Sequence, residues 1–376
     1  MTHEPVLRVA VDGTPLLGQR TGIGRYTEHL LDALVARTDV AVSATAFTLR
    51  GRGGLAAAVP AGVRVRSLPV PARLLRAAWS RLEFPSVGLL SGRADVFHGT
   101  NFVLPPTGRA GGVVTIHDLA FLTMPDVVDR TNSALRELVP RSIRRAAAIC
   151  TPTRAVADQI ADTYGPALPE LVVTPLGVDP EWFGAQPPDA AQRERLRLPQ
   201  DYFLFVGTRE PRKDLRTLLA AYGALRADRR SAAGVLPTLL LVGPDGWGPD
   251  QQSVPGVEVH GYATAADLRV IVAGARALVM PSRDEGFGLP ALEGLAAGTP
   301  VIVSAVPAMV EVTGGWATVF PIGDVDALAA ALDRHADPPE PASVTAERQH
   351  RRDYAAGWTW QRCADRTVAA YRIAER

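Results

Sequence analysis

The chain has 376 residues, 47% hydrophobic and 21% charged, a balance that excludes a disulfide-stapled miniprotein and a wholly disordered or fibrous chain. Its 40 basic and 39 acidic residues leave a net charge of +1, which provides no global field for holding nucleic acid, so we expect no nucleic-acid partner. The length exceeds what one hydrophobic core usually serves, and we expect two domains of roughly 150 to 200 residues.

The cysteines and the apolar runs indicate the cellular setting. Cys150 and Cys363 stand far apart and in no metal-ligand spacing, which predicts neither a disulfide framework nor a zinc cluster and favours a reducing, cytoplasmic setting. The sequence begins without a basic leader, and it contains no run of about 18 apolar residues. We therefore expect no signal peptide and no membrane-spanning segment.

The first half of the chain alternates strand-like and helix-like stretches. Apolar residues at helical spacing occupy 26–35. Such alternation is typical of a parallel sheet with helices on both faces. The predicted strands are 6–11, 40–47, 63–68, 96–98, 113–116, 148–151 and 171–174.

A second alternating set follows, so we expect an α/β protein made of two units in tandem. Residues 177–199 are rich in proline and polar side chains, as a boundary linker is, and residues 358–376 look helical. The predicted domains are 1–178 and 179–357, followed by the helix 358–376. The predicted strands of the second set are 202–206, 238–242, 257–260, 277–280 and 301–303, and its predicted helices are 215–225, 265–273 and 289–297.

Lys213 is the single lysine among the 40 basic residues, so the other 39 are arginines. A position that keeps lysine against this bias needs a compact, rotatable ammonium, unless it is a chance survivor on the surface. Lys213 stands with Thr208, Arg209 and Arg212 between a predicted strand and a predicted helix. Because the helix dipole disfavours cations at its amino end, this cluster predicts an anion bound between the basic side chains.

The segment 277–304 carries the strongest functional signal. Gly286 and Gly288 precede a helix that we expect to begin near Pro290, an arrangement that leaves several amides unpaired. Such amides can hold a diphosphate, while Glu285 and Glu293 provide carboxylates that accept hydrogen bonds from sugar hydroxyls. Acids that merely favour a helix amino end would also stand here, but they do not explain the sequence Gly-Phe-Gly-Leu-Pro between them.

A glycine-bearing stretch lies before the first predicted helix. Gly18, Gly22 and Gly24 stand where bare amides can face an anion or where a simple turn is needed. The dinucleotide fingerprint needs its glycines directly after the first strand, with a third small residue where this chain has Thr27. A nicotinamide site is therefore not expected.

Two aspartates invite a metal interpretation. Asp324 and Asp326 have the spacing of a metal-binding Asp-x-Asp pair. They directly precede a helix-like run, however, where an aspartate caps the first amides, and the capping interpretation is favoured. We expect no bound metal and no other cofactor.

The spacing from Glu285 to Glu293 resembles the Glu-x7-Glu signature of the retaining glycosyltransferases of family GT4. Other stretches similar to the family occur in family order, so the resemblance covers nearly the whole chain. It implies the GT-B fold, in which two Rossmann-like domains face a central cleft. The matching stretches are TGIGRYTEHLLDAL, FHGTNFVLPP, TIHDLAF, LGVDPEWF, VGTREPRKDLRTLLAAY, EGFGLPALEGLAAGTPVI and WTWQRCADRTVAAY.

The resemblance implies a role for each matching residue. Glu285 contacts the donor hexose and Glu293 the nucleotide ribose. Lys213 contacts the diphosphate, and His117 faces the sugar; with Glu285 they form the catalytic set, although a His-Asp pair after a strand is also typical of a hydrogen-bonded loop. The amides that surround the leaving group are those of Gly286, Phe287, Gly288 and Leu289. The loop from Gly22 to Gly24 closes over the phosphates or the acceptor. Gly261 and Tyr262 lie near the base.

The chain departs from the family pattern at one donor-binding position. Many relatives have an arginine five residues before the lysine, where this chain has Thr208. Either Arg212 or Arg209 supplies that charge, and the sequence leaves the choice open.

The resemblance also implies the reaction. The second domain holds a nucleotide-sugar donor, the first holds a carbohydrate or lipid-linked acceptor, and the final helix packs back on the first. A hexose passes to an acceptor hydroxyl with retention of configuration, and the departing phosphate takes the acceptor proton. The VGTREPRK stretch is similar to relatives that move mannose from GDP-mannose, while UDP-glucose and UDP-N-acetylglucosamine stay open. A nucleotide-sugar 2-epimerase of the same fold and a non-catalytic sugar-nucleotide sensor are the alternatives.

The segment that begins at Arg73 and ends at Phe84 mixes arginines with apolar residues at helical spacing. The pattern is typical of an amphipathic helix that faces the domain core, and this interpretation is favoured. The alternative is a helix that rests on an anionic membrane surface or a lipid-linked acceptor. That alternative would place a cytoplasmic protein at the inner face of the membrane.

Overall fold

The computed structural model describes residues 6–18, 22–48, 53–66, 71–124, 134–231, 236–246, 254–338 and 341–375. The chain divides into two compact units, which we call unit 1 (Met1–Gly177 with Thr359–Arg376) and unit 2 (Val178–Trp358). The predicted domain boundaries differ from these by one residue. No helix within the described ranges is long and apolar enough to cross a membrane.

The described part of unit 1 contains a seven-stranded parallel sheet in the order β3-β2-β1-β4-β5-β6-β7. The central strands are almost entirely buried, as expected for a parallel sheet that is covered on both faces. The strands are β1 (Leu7–Asp12), β2 (Val40–Thr45), β3 (Arg64–Val65), β4 (Val96–Gly99), β5 (Gly111–Thr115), β6 (Ala148–Thr151) and β7 (Glu170–Val173).

The described part of unit 2 contains a six-stranded parallel sheet in the order β10-β9-β8-β11-β12-β13. Counted within the unit, this is the doubly wound order 3-2-1-4-5-6. The strands are β8 (Tyr202–Val206), β9 (Thr238–Val242), β10 (Val257–Gly261), β11 (Ala277–Met280), β12 (Val301–Ser304) and β13 (Ala317–Phe320).

Helices connect the strands in both units. In chain order the described helices are α1 (Gly22–Val35), α2 (Gly54–Ala58), α3 (Ala72–Trp79), α4 (Val87–Ser91), α5 (Ala120–Thr123), α6 (Leu135–Arg145), α7 (Arg154–Tyr164), α8 (Ala190–Leu196), α9 (Leu215–Ser231), α10 (Ala265–Gly274), α11 (Leu289–Ala297), α12 (Pro307–Thr313), α13 (Val325–Asp333), α14 (Pro341–Ala355) and α15 (Trp360–Glu375). Short 3-10 turns occur at Thr14–Leu16, Pro180–Trp182 and Pro211–Lys213.

Each unit has its own hydrophobic core. In unit 1, the side chains of Phe97, Val114 and Ile149 pack with Trp79 from α3. In unit 2, strand residues such as Phe203 pack with residues of α9 and α13. The last helix, α15, belongs to unit 1 and lies against α1 and the strands β5, β6 and β7.

Three predictions about local structure were wrong. Gly22 and Gly24 lie in the first turn of α1 instead of in a loop, because the helix begins at Gly22, four residues before the predicted start. The helix that begins near Arg73 ends at Trp79, so the residues up to Phe84 lie outside it. The predicted linker 177–199 contains the helix α8, which a capping box at Asp189 starts.

Candidate active site

The strand order of unit 2 places two loops at one point of the sheet. The chain leaves β8 toward β9 on one side and leaves β11 toward β12 on the other side. At such a switch point, the loops at the carboxyl ends of the two strands separate and leave a crevice for a ligand. The loop after β8 carries Lys213, and the loop after β11 carries Glu285.

The loop after β8 is held in a fixed shape. It ends in the 3-10 turn Pro211–Lys213 and then in Asp214, which has a φ of 47° in the left-handed region. The buried carboxylate of Asp214 accepts hydrogen bonds from Thr217 Oγ1 at 2.8 Å and from Arg283 Nε at 3.0 Å. Because Arg283 lies in the loop after β11, this contact joins the two loops and fixes the backbone next to Lys213.

Two cations share the carboxylate of Glu285. Lys213 Nζ lies 2.5 Å from Glu285 Oε1, and Arg212 Nη1 lies 3.2 Å from Glu285 Oε2. The hydroxyl of Ser282 donates to Glu285 Oε1 at 2.7 Å. Arg212 is itself held by Glu210, whose Oε1 lies 2.9 Å from Arg212 Nη2. The side chains of this cluster are therefore set in place before a ligand arrives.

The pKa of Glu285 shows that the cluster is strongly electrostatic. Burial alone would raise this pKa, but the charges of Lys213 and Arg212 and the hydrogen bonds from Lys213 and Ser282 outweigh burial and lower the pKa to about 2. The carboxylate is thus ionised at neutral pH and is a poor proton acceptor there. Its chemistry is to accept hydrogen bonds and to position cations.

The amino end of α11 follows this carboxylate directly. Gly288, with a φ of 88°, precedes the helix, provides no side-chain cap, and is followed by Leu289 and then Pro290. Within the described residues no hydrogen bond reaches the amides of Phe287, Gly288 or Leu289. Amides of this kind at a helix amino end favour an anion, so this end of the crevice fits a phosphate group.

Unit 1 places a neutral histidine at the carboxyl end of its own sheet. His117 follows β5, and its Nε2 lies 2.8 Å from the carbonyl oxygen of Thr100. Burial lowers the pKa of His117, so its ring is neutral at pH 7. Because a carbonyl only accepts, Nε2 carries the proton and Nδ1 is an acceptor for a hydroxyl. The rings of Tyr26 and Phe102 flank it, with centroids 5.1 and 5.6 Å away.

A buried polar chain lies beneath this histidine and was missed in the sequence. His98 Nδ1 lies 2.8 Å from the hydroxyl of Tyr371, and His98 Nε2 lies 2.7 Å from Thr115 Oγ1. Thr115 Oγ1 in turn lies 2.9 Å from the hydroxyl of Tyr26. Burial, and the nearby His117, lower the pKa of His98 to about 3. The chain joins β4 and β5 to α1 and α15, and no local sequence pattern indicates a contact between residues so far apart.

Comparison with known proteins identifies the family. Residues 200–337 match the family model described as glycosyl transferases group 1, and residues 21–177 match the glycosyl transferase 4-like domain. The chain is similar to the O-antigen chain mannosyltransferase B of Escherichia coli, with 31% identity over 74% of each chain. It belongs to the GT4 glycosyltransferases.

One further relative is similar to the chain in sequence, and one solved structure is similar to it in fold. The MMP alpha-(1->4)-mannosyltransferase of Mycolicibacterium hassiacum is 30% identical over 62% of this chain and 56% of its own length. Sucrose-phosphate synthase from Thermosynechococcus elongatus has a similar structure, with a TM-score of 0.68 and 20% identity over 97% of this chain and 98% of the other. The predicted GT-B fold, with two parallel-sheet α/β domains, is therefore confirmed.

The structure of this GT4 glycosyltransferase brings Arg212, Lys213 and Glu285 together, as the sequence predicts for a donor site. Arg209 points elsewhere, because its side chain pairs with Asp245 in the loop after β9. Glu210 and Ser282, which hold Arg212 and Glu285, were missed, although both stand within three residues of a predicted site residue.

The remaining predicted positions of unit 2 lie along the same edge of the sheet or on α11. Thr208 is in the loop after β8, and Glu293 is buried within α11. The carbonyl of Gly261, at the end of β10, accepts from the amide of Gly243 at 2.7 Å, and Tyr262 next to it is 68% exposed. Their roles toward the ribose and the base stay predictions.

The alternative interpretations of the aspartates are resolved in part. Asp324 Oδ1 accepts from the amide of Ala327 at 2.9 Å and caps α13, so its predicted capping role is confirmed. Asp118 Oδ1 accepts from the amide of Ala120 at 3.1 Å, which is the hydrogen-bonded loop considered for the His-Asp pair. In the described part of the chain, no group of three or more His, Cys, Asp or Glu side chains is arranged to hold a metal ion.

Proposed function

We propose that this GT4 glycosyltransferase moves a hexose from a nucleoside diphosphate sugar to an acceptor hydroxyl with retention of configuration, and that the donor is GDP-mannose. The observation that carries the proposal is the position of Lys213 and Arg212 on the carboxylate of Glu285, in the loop that leads to the free amides of α11. Cations and amides at one switch point favour a diphosphate, and the carboxylate favours a sugar hydroxyl.

The leaving group is where these residues act. When the bond from C1 to the phosphate oxygen breaks, its electron pair stays on the diphosphate, and the acceptor oxygen forms the new bond to C1. The attraction between Lys213 and a phosphate oxygen at about 4 Å amounts to about 4 kcal/mol at an effective dielectric constant near 20. Such stabilisation of developing charge lowers the barrier to departure.

The destination of the acceptor proton follows from the state of Glu285. A carboxylate with a pKa of about 2 takes up a proton poorly at neutral pH. We therefore assign the proton to an oxygen of the departing phosphate, on the face where the acceptor attacks. Glu285 then positions the sugar through its hydroxyls and keeps Lys213 in place.

The choice of mannose rests on two similarities. The names of both curated relatives described above include mannosyltransferase. The stretch that contains Lys213 is also similar to relatives that use GDP-mannose. If the proposal for mannose fails, UDP-glucose and UDP-N-acetylglucosamine are the alternative donors to GDP-mannose.

The test is a turnover assay with purified protein and a panel of GDP, UDP and ADP sugars, each with and without a panel of sugar acceptors. We expect nucleoside diphosphate release from GDP-mannose that rises with acceptor, and an α-configured product by NMR. Conversion of the donor sugar in the absence of acceptor would favour the epimerase instead. Donor binding without turnover across the acceptor panel would favour a sensor.

We also propose that unit 1 binds a carbohydrate or lipid-linked acceptor and meets an anionic membrane at the inner face when that acceptor is lipid-linked. On α3, Leu75 and Trp79 are buried, as the core interpretation predicts. Leu82 and Phe84, which follow the helix, are 58% and 64% exposed. The hydrogen bond from Arg145 lowers the pKa of Glu83, burial partly opposes this, and the nearby charges of Arg141 and Arg144 lower the pKa further. Basic side chains therefore border the exposed apolar ones.

Co-sedimentation with vesicles that contain an anionic lipid tests this contact. The natural protein should sediment at low salt, and the double variant Leu82→Ser, Phe84→Ser should stay in solution. Val310→Ser, at a residue of unit 2 that is 41% exposed, is the control and should sediment normally. Sedimentation of the double variant to the same extent as the natural protein would exclude this surface.

A further inference from the structure

The carboxyl end of α11 is surrounded by arginines, although no motif marks them. Arg348 Nη2 and Arg352 Nη2 both donate to the carbonyl oxygen of Ala297 at 3.3 Å. Arg351 Nη1 donates to the carbonyl oxygen of Gly298, also at 3.3 Å. All three arginines belong to α14, which packs against α11. The helix whose amino end faces the proposed diphosphate therefore has three guanidinium groups at its other end.

Capping alone does not require so many charges. Gly298 has a φ of 79°, and its amide already bonds to the carbonyl of Leu295 at 2.9 Å, while Thr299 donates to Gly294. A left-handed glycine of this kind ends a helix without help from charged side chains. The arginines thus supply more positive charge than the helix end needs for its hydrogen bonds.

Bringing these three arginines close together also costs folding free energy. Burial lowers the pKa of Arg348, and the neighbouring charges of Arg352 and Arg351 lower it further. Of these three, Arg351 pairs with a carboxylate of the same helix, Glu347, at 2.8 Å. Like charges held this close oppose folding unless something nearby favours them, and the negative pole of α11 does so.

The helix α11 is buried along almost its whole length. Apart from Pro290, all residues of the helix from Leu289 to Ala297 are buried. A helix of 9 residues is roughly 13 Å long, a distance over which charges still interact when little water lies between them. Positive charge at the carboxyl end therefore raises the potential at the amino end, where the amides of Phe287, Gly288 and Leu289 are free.

We infer that Arg348, Arg351 and Arg352 are positioning residues for the donor: from the far end of α11 they fix the helix and strengthen its attraction for a diphosphate. The inference rests on the proposed function, because it needs an anion at the amino end of α11. None of the three arginines touches the reacting atoms in this role. Their effect should depend on the charge of the ligand and not on its base or sugar.

The experiment compares a charged ligand with an uncharged one. Calorimetry or ligand-observed NMR measures the affinities of GDP, UDP and ADP and of the matching nucleosides for the full chain. For the double variant Arg348→Gln, Arg352→Gln, we expect about a fivefold weaker affinity for the best nucleoside diphosphate and less than a twofold change for its nucleoside. The single variants should each show a smaller loss, and they carry the test if the double variant does not fold.

Two controls separate charge from fold. The double variant Arg348→Lys, Arg352→Lys keeps both charges, and its diphosphate affinity should lie within about twofold of that of the natural protein. Arg334→Gln removes an exposed arginine from the carboxyl end of α13, whose amino end is capped by Asp324, and should leave both affinities unchanged.

Three outcomes overturn the inference. Unchanged diphosphate affinity in the glutamine variants would show that the arginines do not act on the site. Equal losses for the diphosphate and the nucleoside would show a general effect on the fold. If the natural protein binds none of the three diphosphates, the proposed function fails together with the inference, whereas normal binding by the natural protein and by the variants removes the inference alone.

Discussion

Both units have strands in the order 3-2-1-4-5-6, to which unit 1 adds a seventh, but the two units carry different chemistry at the carboxyl ends of these strands. In unit 2, the loops after β8 and β11 bring together charged side chains, with Lys213 and Glu285 2.5 Å apart. In unit 1, the corresponding groups are neutral: His117, in the loop after β5, lies on the carbonyl of Thr100, and His98, within β4, belongs to a chain of hydroxyls. The topology decides where a ligand can bind, and the side chains decide which charge it carries.

This difference fits the proposed reaction, in which unit 2 binds the donor and unit 1 binds the acceptor. A diphosphate is an anion and requires cations and free amides, whereas a sugar hydroxyl is neutral and requires hydrogen-bonding groups of fixed orientation. Burial has opposite outcomes in the two units. In unit 2 the charges of Lys213 and Arg212 outweigh burial and keep Glu285 ionised, whereas in unit 1 burial keeps the imidazoles uncharged.

The largest expected effect is on Lys213. Lys213→Ala removes the ammonium that would stabilise the leaving group, and turnover should fall by about a hundredfold or more, as for other donors aimed at developing charge. The unfolding temperature should change little, because Arg212 and Ser282 still hold Glu285. Steady-state kinetics with the preferred donor and a thermal melt of the same sample measure both quantities.

The control for this variant is Arg334→Ala, which removes an exposed cation far along the chain from either loop. It should keep normal kcat and KM. Near-normal turnover of Lys213→Ala would remove the central role of the lysine, and a collapsed melting curve would mean that the variant must be replaced by Lys213→Gln.

Glu285→Gln should destabilise the protein by about 2 kcal/mol at pH 6, because the half-buried Lys213 loses the carboxylate that it pairs with, and Arg212 keeps Glu210 but loses Glu285. The pKa of Glu285 is about 2 when folded, against an ordinary value of 4.5, so its contribution is complete above pH 4.5 and is lost as the pH falls toward 2. The difference between natural protein and variant in urea denaturation should therefore shrink between pH 6 and pH 3. A difference that stays constant over this range would contradict the ion pair.

Variants of Arg212 and Arg209 test which of the two arginines supplies the charge that is missing at Thr208. Arg212 lies on Glu285, whereas Arg209 pairs with Asp245, so Arg212 should supply the charge that is missing at Thr208. Arg212→Ala should weaken the binding of the preferred nucleoside diphosphate about tenfold, while Arg209→Ala should change it less than twofold. Titration calorimetry on both variants gives the answer. A larger loss in Arg209→Ala would reverse the assignment.

The smallest expected effect concerns the neutral histidines of unit 1. The pKa of His98 is lowered from 6.5 to about 3, so the unfolded chain binds a proton between these values that the folded protein does not. Stability should thus fall as the pH drops below 6.5, by up to about 1.4 kcal/mol per pH unit for each buried histidine. In His98→Gln, the free energy of unfolding should depend less steeply on pH between pH 6 and pH 5, by the contribution of about one proton. Equal slopes in the two proteins would show that His98 is charged in the fold.

Much of the architecture was predictable because the strands of a covered parallel sheet are continuous apolar runs. The strands Ala148–Thr151, Tyr202–Val206 and Thr238–Val242 and the helix Leu289–Ala297 have the predicted bounds. The strand Ala317–Phe320 was missed because it is a short edge strand with half-exposed side chains, which gives little hydrophobic signal.

The candidate site was predictable where residues of one loop act together and unpredictable where distant residues meet. Lys213 and Glu285 each stood out in their own segment by type and spacing. The contact between His98 and Tyr371 joins residues 273 positions apart, and the direction of Arg209 depends on a neighbouring loop. Neither is encoded by a local pattern, since only the packed fold brings such partners together.

The most direct test of the proposed donor site is a crystal structure of the protein with GDP or GDP-mannose bound. We predict the diphosphate within hydrogen-bonding distance of Lys213 Nζ and of the amides of Phe287, Gly288 and Leu289, with a sugar hydroxyl on Glu285. A nucleotide bound elsewhere, with Lys213 still fully paired to Glu285 and those amides facing solvent, would contradict it.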